Sequence, residues 1–294
     1  MTSPEDLLAS LAAEALARRD APRAPGGAWV FHRGALGDSV LLWPLLRLLR
    51  HGFGTVRLVA DGSKAALAAR HTGVIGLDAE SHRFNALWHD PSPPPIDPDA
   101  TLVLAFVPTD SPWTRGAHAA FPRARLLCLD TRPDALAARR IAALAPWAVA
   151  PPRAHAHGPI VAHVGAGAES KRWPMNYWES LVRDLRRPVR VLAGEVERER
   201  FSPADRAVFD SIGGEFIHDL STLEARFADA AAFVGADTGP THLAAALGAR
   251  TFAVFGPTDP TRWSPVGASV RTIVPESGES WPTPDRVLAA IDAD

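Results

Sequence analysis

The chain has one cysteine, no apolar run near the length of a membrane span and no excess of basic residues, and each shortage excludes something. A single thiol, Cys128 within the apolar run 126–129, forms no internal disulfide and suits a reducing compartment. A buried, inert thiol is the expectation there. Residues 1–150 hold 16 Lys and Arg against 14 Asp and Glu, and residues 151–294 hold 15 against 19. Neither half has the cationic surplus that dominates binding to polynucleotides, so a nucleic-acid partner is not expected. No stretch approaches the roughly 18 apolar residues of a spanning helix, so any membrane association is peripheral. The start is acidic, with Glu5 and Asp6 followed by Leu7, Leu8, Leu11 and Leu16 at helical spacing, and it closes on Arg18 and Arg19. That order fits the dipole of an amphipathic helix rather than a secretory leader, and it suits a cytoplasmic protein. There is no short-period repeat, and no low-complexity tract beyond 91–98.

What is present suffices for two ordinary domains: 294 residues, 47% of them hydrophobic and 22% charged. Short apolar runs alternate with helix-like segments, which is the signature of parallel sheets with crossover helices. Strands are expected at 29–32, 56–60, 74–77, 102–107 and 125–129, with helices at 39–50, 63–70 and 134–144. Pro146, Pro151, Pro152 and the stretch 155–159 then break regular structure, placing a domain boundary near residue 150. The rhythm restarts with strands at 160–164, 189–193, 231–235 and 251–255 and helices at 177–185, 197–210, 223–228 and 284–291. Such sheets bind ligands beyond the carboxyl ends of their strands, so the loops there are where chemistry is sought.

Three loops carry candidate chemistry. In the first, His32-Arg33-Gly34-Ala35-Leu36-Gly37-Asp38, two glycines permit a tight turn and Asp38 falls near a helix start. Asp38 is either a helix N-cap or a general base kept ionised by the helix N-terminus. In the second, Gly165-Ala166-Gly167-Ala168-Glu169-Ser170-Lys171-Arg172-Trp173-Pro174, a dinucleotide-like fingerprint lacks its third glycine and gains two cations. Two glycines followed by Lys171 and Arg172 suit a diphosphate, the alternative being a solvated basic loop. Trp173 and Pro174 read as a packing anchor. The third, Gly235-Ala236-Asp237-Thr238-Gly239-Pro240-Thr241-His242, delivers an acid, a hydroxyl and an imidazole to a helix start whose N–H groups can hold an anion. For His242 alone, a satisfied core histidine is the competing reading. A fourth loop, 255–260, shows only turn chemistry. Asp97-Pro98-Asp99 could in principle hold a metal but lies in a proline-rich turn, and His155 and His157 have no matching ligands nearby.

Taken together, Gly37-Asp38, the run 163–174 and the segment from Asp237-Thr238-Gly239-Pro240-Thr241-His242 to Phe255-Gly256-Pro257-Thr258-Asp259-Pro260 resemble the motifs of glycosyltransferase family 9, the heptosyltransferases. The resemblance implies an α/β GT-B fold of two Rossmann-like parallel-sheet domains facing a central cleft. It implies that 1–150 binds the acceptor and 151–294 the nucleotide-sugar, with the last helix available to pack back on the first domain. It further implies inverting, metal-independent transfer of heptose from ADP-heptose to a sugar of the lipopolysaccharide inner core, with no cofactor, and it leaves room for peripheral association with the inner membrane. By position, Asp38 is similar to the family's catalytic base and Lys171 to its phosphate-binding lysine. Gly165, Ala166, Gly167 and Ala168 would line the diphosphate, Asp237, Thr238, Gly239 and His242 would hold the diphosphate and donor sugar, and Glu195 would meet the ribose. The chain departs from the family pattern at Ala166 and Ala168, where hydroxyl residues are common, in its shortness, and in lacking a pronounced basic patch on the first domain. Three other readings remain: a nicotinamide dehydrogenase, a non-catalytic nucleotide-sugar-binding relative, and the same chemistry on a protein or another glycan.

Overall fold

The computed structural model describes residues 3–18, 26–130, 132–153 and 157–293. Arg19 and His155 lie outside the described residues. The chain divides into two compact units, 1–148 and 149–294.

The first unit opens with α1 (Pro4–Ala17), where the Ser3 hydroxyl accepts from the Asp6 N–H and caps the helix. There follow β1 (Ala28–Phe31), α2 (Leu36–Leu41), α3 (Trp43–Phe53), β2 (Val56–Ala60), α4 (Gly62–Thr72), β3 (Ile75–Asp78), α5 (His82–His89), β4 (Leu102–Ala105), α6 (Pro112–Ala120), β5 (Arg125–Cys128) and α7 (Ala135–Leu144). The strands form one parallel sheet in the order β3-β2-β1-β4-β5. β1 and β4 at its centre are buried along their whole length, as strands covered by helices on both faces must be. The expected helix 39–50 is two helices, broken at Leu42. Pro44, at the second position of α3, has no N–H to donate and its ring crowds the carbonyl four residues back, so one continuous helix cannot pass through it. An aromatic cluster fills one side of the sheet: the Phe31 ring meets Trp113 at 4.9 Å and Phe84 at 5.8 Å, and Trp29 meets Phe121 at 5.3 Å.

The second unit contains β6 (Ile160–His163), α8 (Met175–Asp184), β7 (Val189–Gly194), α9 (Glu195–Arg200), α10 (Pro203–Ser211), β8 (Gly214–Ile217), α11 (Leu220–Phe227), β9 (Ala232–Ala236), α12 (Gly239–Ala246), β10 (Thr251–Val254), α13 (Pro260–Trp263), β11 (Val270–Ile273) and α14 (Pro284–Asp292). Its parallel sheet runs β11-β10-β9-β6-β7-β8. The expected helix 197–210 is also two, because Ser202 caps a new helix with Pro203 in its first position. The last helix, α14, packs on α8 of its own unit.

Cys128 is half-buried rather than buried, because β5 is an edge strand with one side uncovered. Burial still pushes its thiol pKa up, opposed by the Thr114 hydroxyl at 3.6 Å. The Asp97-Pro98-Asp99 pair is engaged structurally: Asp97 accepts from the Trp29 indole N–H at 2.9 Å and lies 3.5 Å from Arg57, and Asp99 pairs with Arg123. Among the described residues no helix is long and apolar enough to cross a membrane.

In each sheet the chain reverses its direction of travel between two adjacent strands, β1 and β4 in the first and β6 and β9 in the second. At such switch points the loops diverge to opposite faces and leave a crevice beyond the strand ends. All three chemistry-bearing loops leave one of these four strands.

Candidate functional site

The crevice of the first unit holds Asp38. Ala35 is the N-cap of α2 and Asp38 is its third residue, with no side-chain cap hydrogen bond at this helix start. The N-cap reading of Asp38 is therefore corrected: the carboxylate sits in the first turn, half-buried, and lines a cavity of about 470 Å³. Gly34 is obligatory beside it, since a Cβ there would come within 2.6 Å of His32 Nε2 and 3.1 Å of Asp38 Oδ2. Lys64 fixes the same loop from below, its ammonium donating to the Gly34 carbonyl at 2.7 Å. His32 is buried, and burial, helped by Lys64, pushes its pKa down to about 4, so its ring is neutral near pH 7.

The second unit's crevice draws on the loops after β6 and β9. Lys171 ends a short 3-10 turn and donates to Asp237 Oδ2 at 2.8 Å. On the other side of the carboxylate, His242 Nε2 lies 3.6 Å from Asp237 Oδ1. Asp237 and His242 are each 5% exposed at the side chain, and Lys171 36%. Burial would raise the Asp237 pKa, yet the contacts to His242 and Lys171 prevail and hold it below the usual carboxylate range. Thr238 is the N-cap of α12, but its hydroxyl faces that of Thr241 at 3.2 Å, and no side chain caps this helix start. Thr241, fully buried, anchors the start by donating to the Ala236 carbonyl at 2.6 Å. The outcome is a cation, an acid, an imidazole and the Gly239 N–H of an uncapped helix start in one small region, which is the chemistry of a diphosphate site.

The loop 165–168 is held differently from what its sequence suggests. Gly165 and Ala166 are buried, and only Gly167 and Ala168 are exposed. Glu197, an acid to which the sequence pattern assigns no role, accepts from the Ala166 N–H at 3.0 Å and the Gly194 N–H at 3.0 Å. The Ala166 N–H is thus already taken, leaving the exposed part of the loop to meet a ligand. Gly165 is required here too, because a Cβ would fall 2.5 Å from the Glu197 carboxyl carbon. Burial pushes the Glu197 pKa up against the pull of these N–H groups. Glu195, by contrast, is the first residue of α9, exposed and paired with Arg198 and His218. Arg172 points away from the loop to Asp205 at 3.0 Å, and Trp173 is fully buried with its indole N–H on the Pro282 carbonyl.

Lys171, Asp237, Thr238, Gly239 and His242 are therefore brought together within the second unit, while Asp38 belongs to the first. The residues the sequence did not single out are Glu197 and the cavity aromatics Phe84, Trp88 and Trp113.

Residues 148–287 match the model of glycosyltransferase family 9 (heptosyltransferase). No curated protein matches the chain by sequence. Among solved structures, the glycosyl transferase family 9 protein of Veillonella parvula is 15% identical, with a TM-score of 0.65 over 91% of this chain and 96% of that one. The E. coli heptosyltransferase WaaC with ADP is 16% identical, with a TM-score of 0.62 over 90% of this chain and 99% of that one. The E. coli ADP-heptose LPS heptosyltransferase II is 17% identical, with a TM-score of 0.58 over 91% and 98%. At such identities the structural likeness speaks for the fold, and the family match speaks for the lineage. Residues 148–287 thus match a glycosyltransferase family 9 domain, and the two parallel sheets of the chain have the fold of the heptosyltransferase structures.

Proposed function

We propose that the chain is an inverting glycosyltransferase that moves a heptose from ADP-heptose to a hydroxyl of a sugar acceptor, a lipopolysaccharide inner-core sugar being the acceptor the family suggests. The observation that carries this reading is the Lys171–Asp237–His242 group beside the uncapped start of α12, placed at the β6/β9 switch point. The ADP moiety named with WaaC and the ADP-heptose named with heptosyltransferase II support the choice of donor.

In this reaction the acceptor oxygen attacks the anomeric carbon as the bond from that carbon to the diphosphate oxygen breaks. Configuration inverts, ADP leaves with the bonding pair, and the hydroxyl proton passes to the Asp38 carboxylate. Lys171 and the N–H groups of Thr238 and Gly239 meet the charge that grows on the departing diphosphate, the kind of stabilisation that usually contributes most to catalysis. Asp38→Asn should lower kcat by at least about a hundredfold, in line with loss of a general base, while calorimetry shows ADP affinity unchanged. Wild-type transfer by Asp38→Asn would remove Asp38 from the role of base. Transfer should also persist in excess chelator, and its loss there would end the metal-independent reading.

A further inference from the structure

We propose that the acceptor presents an apolar, phosphate-free body to the first unit: chemically, an aryl or alkyl glycoside whose reacting hydroxyl reaches Asp38. This rests on the transferase reading above and puts a neutral glycoside in place of the inner-core acceptor that the family suggests. The cavity beside Asp38 is walled by Phe31, Phe84, Trp88, Phe106 and Trp113. Its floor is rigid, since Phe31 packs edge-on against Trp113 and Phe84, and all three are buried. Trp88 and Phe106 are half-buried, so each offers ring surface to an occupant. A concave, mostly apolar site of this size with one or two convergent polar groups suits a small neutral ligand, and the carbon faces of a sugar or an aryl ring pack well on aromatic walls.

The charges around the cavity point the same way. A phosphate entering it would lose water and need a cation in return. His32 is buried edge-on against Phe106 at 5.4 Å and is neutral. Two guanidinium groups line the cavity: Arg33 is ion-paired with Glu80, and the charge of Arg132 is matched in number by the carboxylate of Asp38, so the lining carries no net positive charge. The carboxylate of Asp38 itself repels an anion.

The test compares phenyl glucoside with glucose phosphate by ligand-observed NMR titration, without donor, and follows ADP binding separately by calorimetry. Phenyl glucoside should bind at least about tenfold more tightly, and Trp88→Ala should weaken it about tenfold, the loss of roughly one good aromatic contact. Trp88→Phe should restore most of that affinity, and both variants should bind ADP as the wild type does, which shows that they fold. Equal or tighter binding of glucose phosphate, or unchanged phenyl glucoside affinity in Trp88→Ala, overturns the proposal. Failure to bind ADP, with phenyl glucoside still held through Trp88, would instead strike the transferase reading and leave the apolar site standing.

Discussion

Two buried side chains of the second unit have effects that exceed their size. Glu197 satisfies two N–H groups at once, so Glu197→Gln, which replaces one acceptor by a donor, should cost about 1–3 kcal/mol. A urea titration would register that cost as a lower midpoint, and ADP affinity should fall with it as the 165–168 loop loosens; an unchanged midpoint would mean that the carboxylate does not hold the loop. His163, at the end of β6, is fully enclosed, its Nδ1 has no partner among the described residues, and burial pushes its pKa down from 6.5 to about 4. In that window the unfolded chain takes up a proton that the native state refuses, so stability is present above pH 6.5 and falls as pH drops toward about 4, by on the order of 3 kcal/mol. Denaturation profiles of His163→Gln should be flatter over this range than those of the wild type. Parallel profiles would show that the imidazole does not resist protonation.

The helix starts were easier to read than the helices. Asp38, Lys171 and Asp237 could be singled out because each stands just beyond an apolar run, and a parallel sheet puts such positions at its ligand-binding end. Glu197 could not be told from Glu195 by pattern: residues two apart on a helix point to nearly opposite sides, and Glu-Val-Glu-Arg does not say which side is inside. The strands β8 and β11 were missed because they are short edge strands with partly exposed residues. The cavity wall was missed for another reason, since α5 brings Phe84 and Trp88 against residues of β1 and α6 that are remote in sequence. Pairing of strand and helix through Thr241 invites its own test. Thr241→Val keeps the shape but leaves the Ala236 carbonyl without its donor, which should cost about 1–3 kcal/mol. It should also weaken ADP binding by shifting the start of α12, and a variant with wild-type melting and ADP affinity would show that the hydroxyl is dispensable.

Each unit has its own crevice and its own set of charges, so a nucleotide should be felt by one of them. ADP should slow amide exchange at 165–171, 194–197 and 237–242 in a hydrogen-exchange experiment and leave 31–38 unaffected; protection confined to the first unit would reverse the assignment of donor and acceptor halves. The fold was legible because the strand-and-loop rhythm occurs twice in one chain; the family resemblance came from the loop motifs, and the match over 148–287 bears it out. The contact between Lys171 and Asp237 has a kinetic meaning as well. An ammonium has three N–H donors, so an anion that reaches Lys171 shares it with a tethered carboxylate that never diffuses away. On the proposed reading, that resident rival would weaken the hold on any diphosphate and shorten the time a spent nucleotide stays.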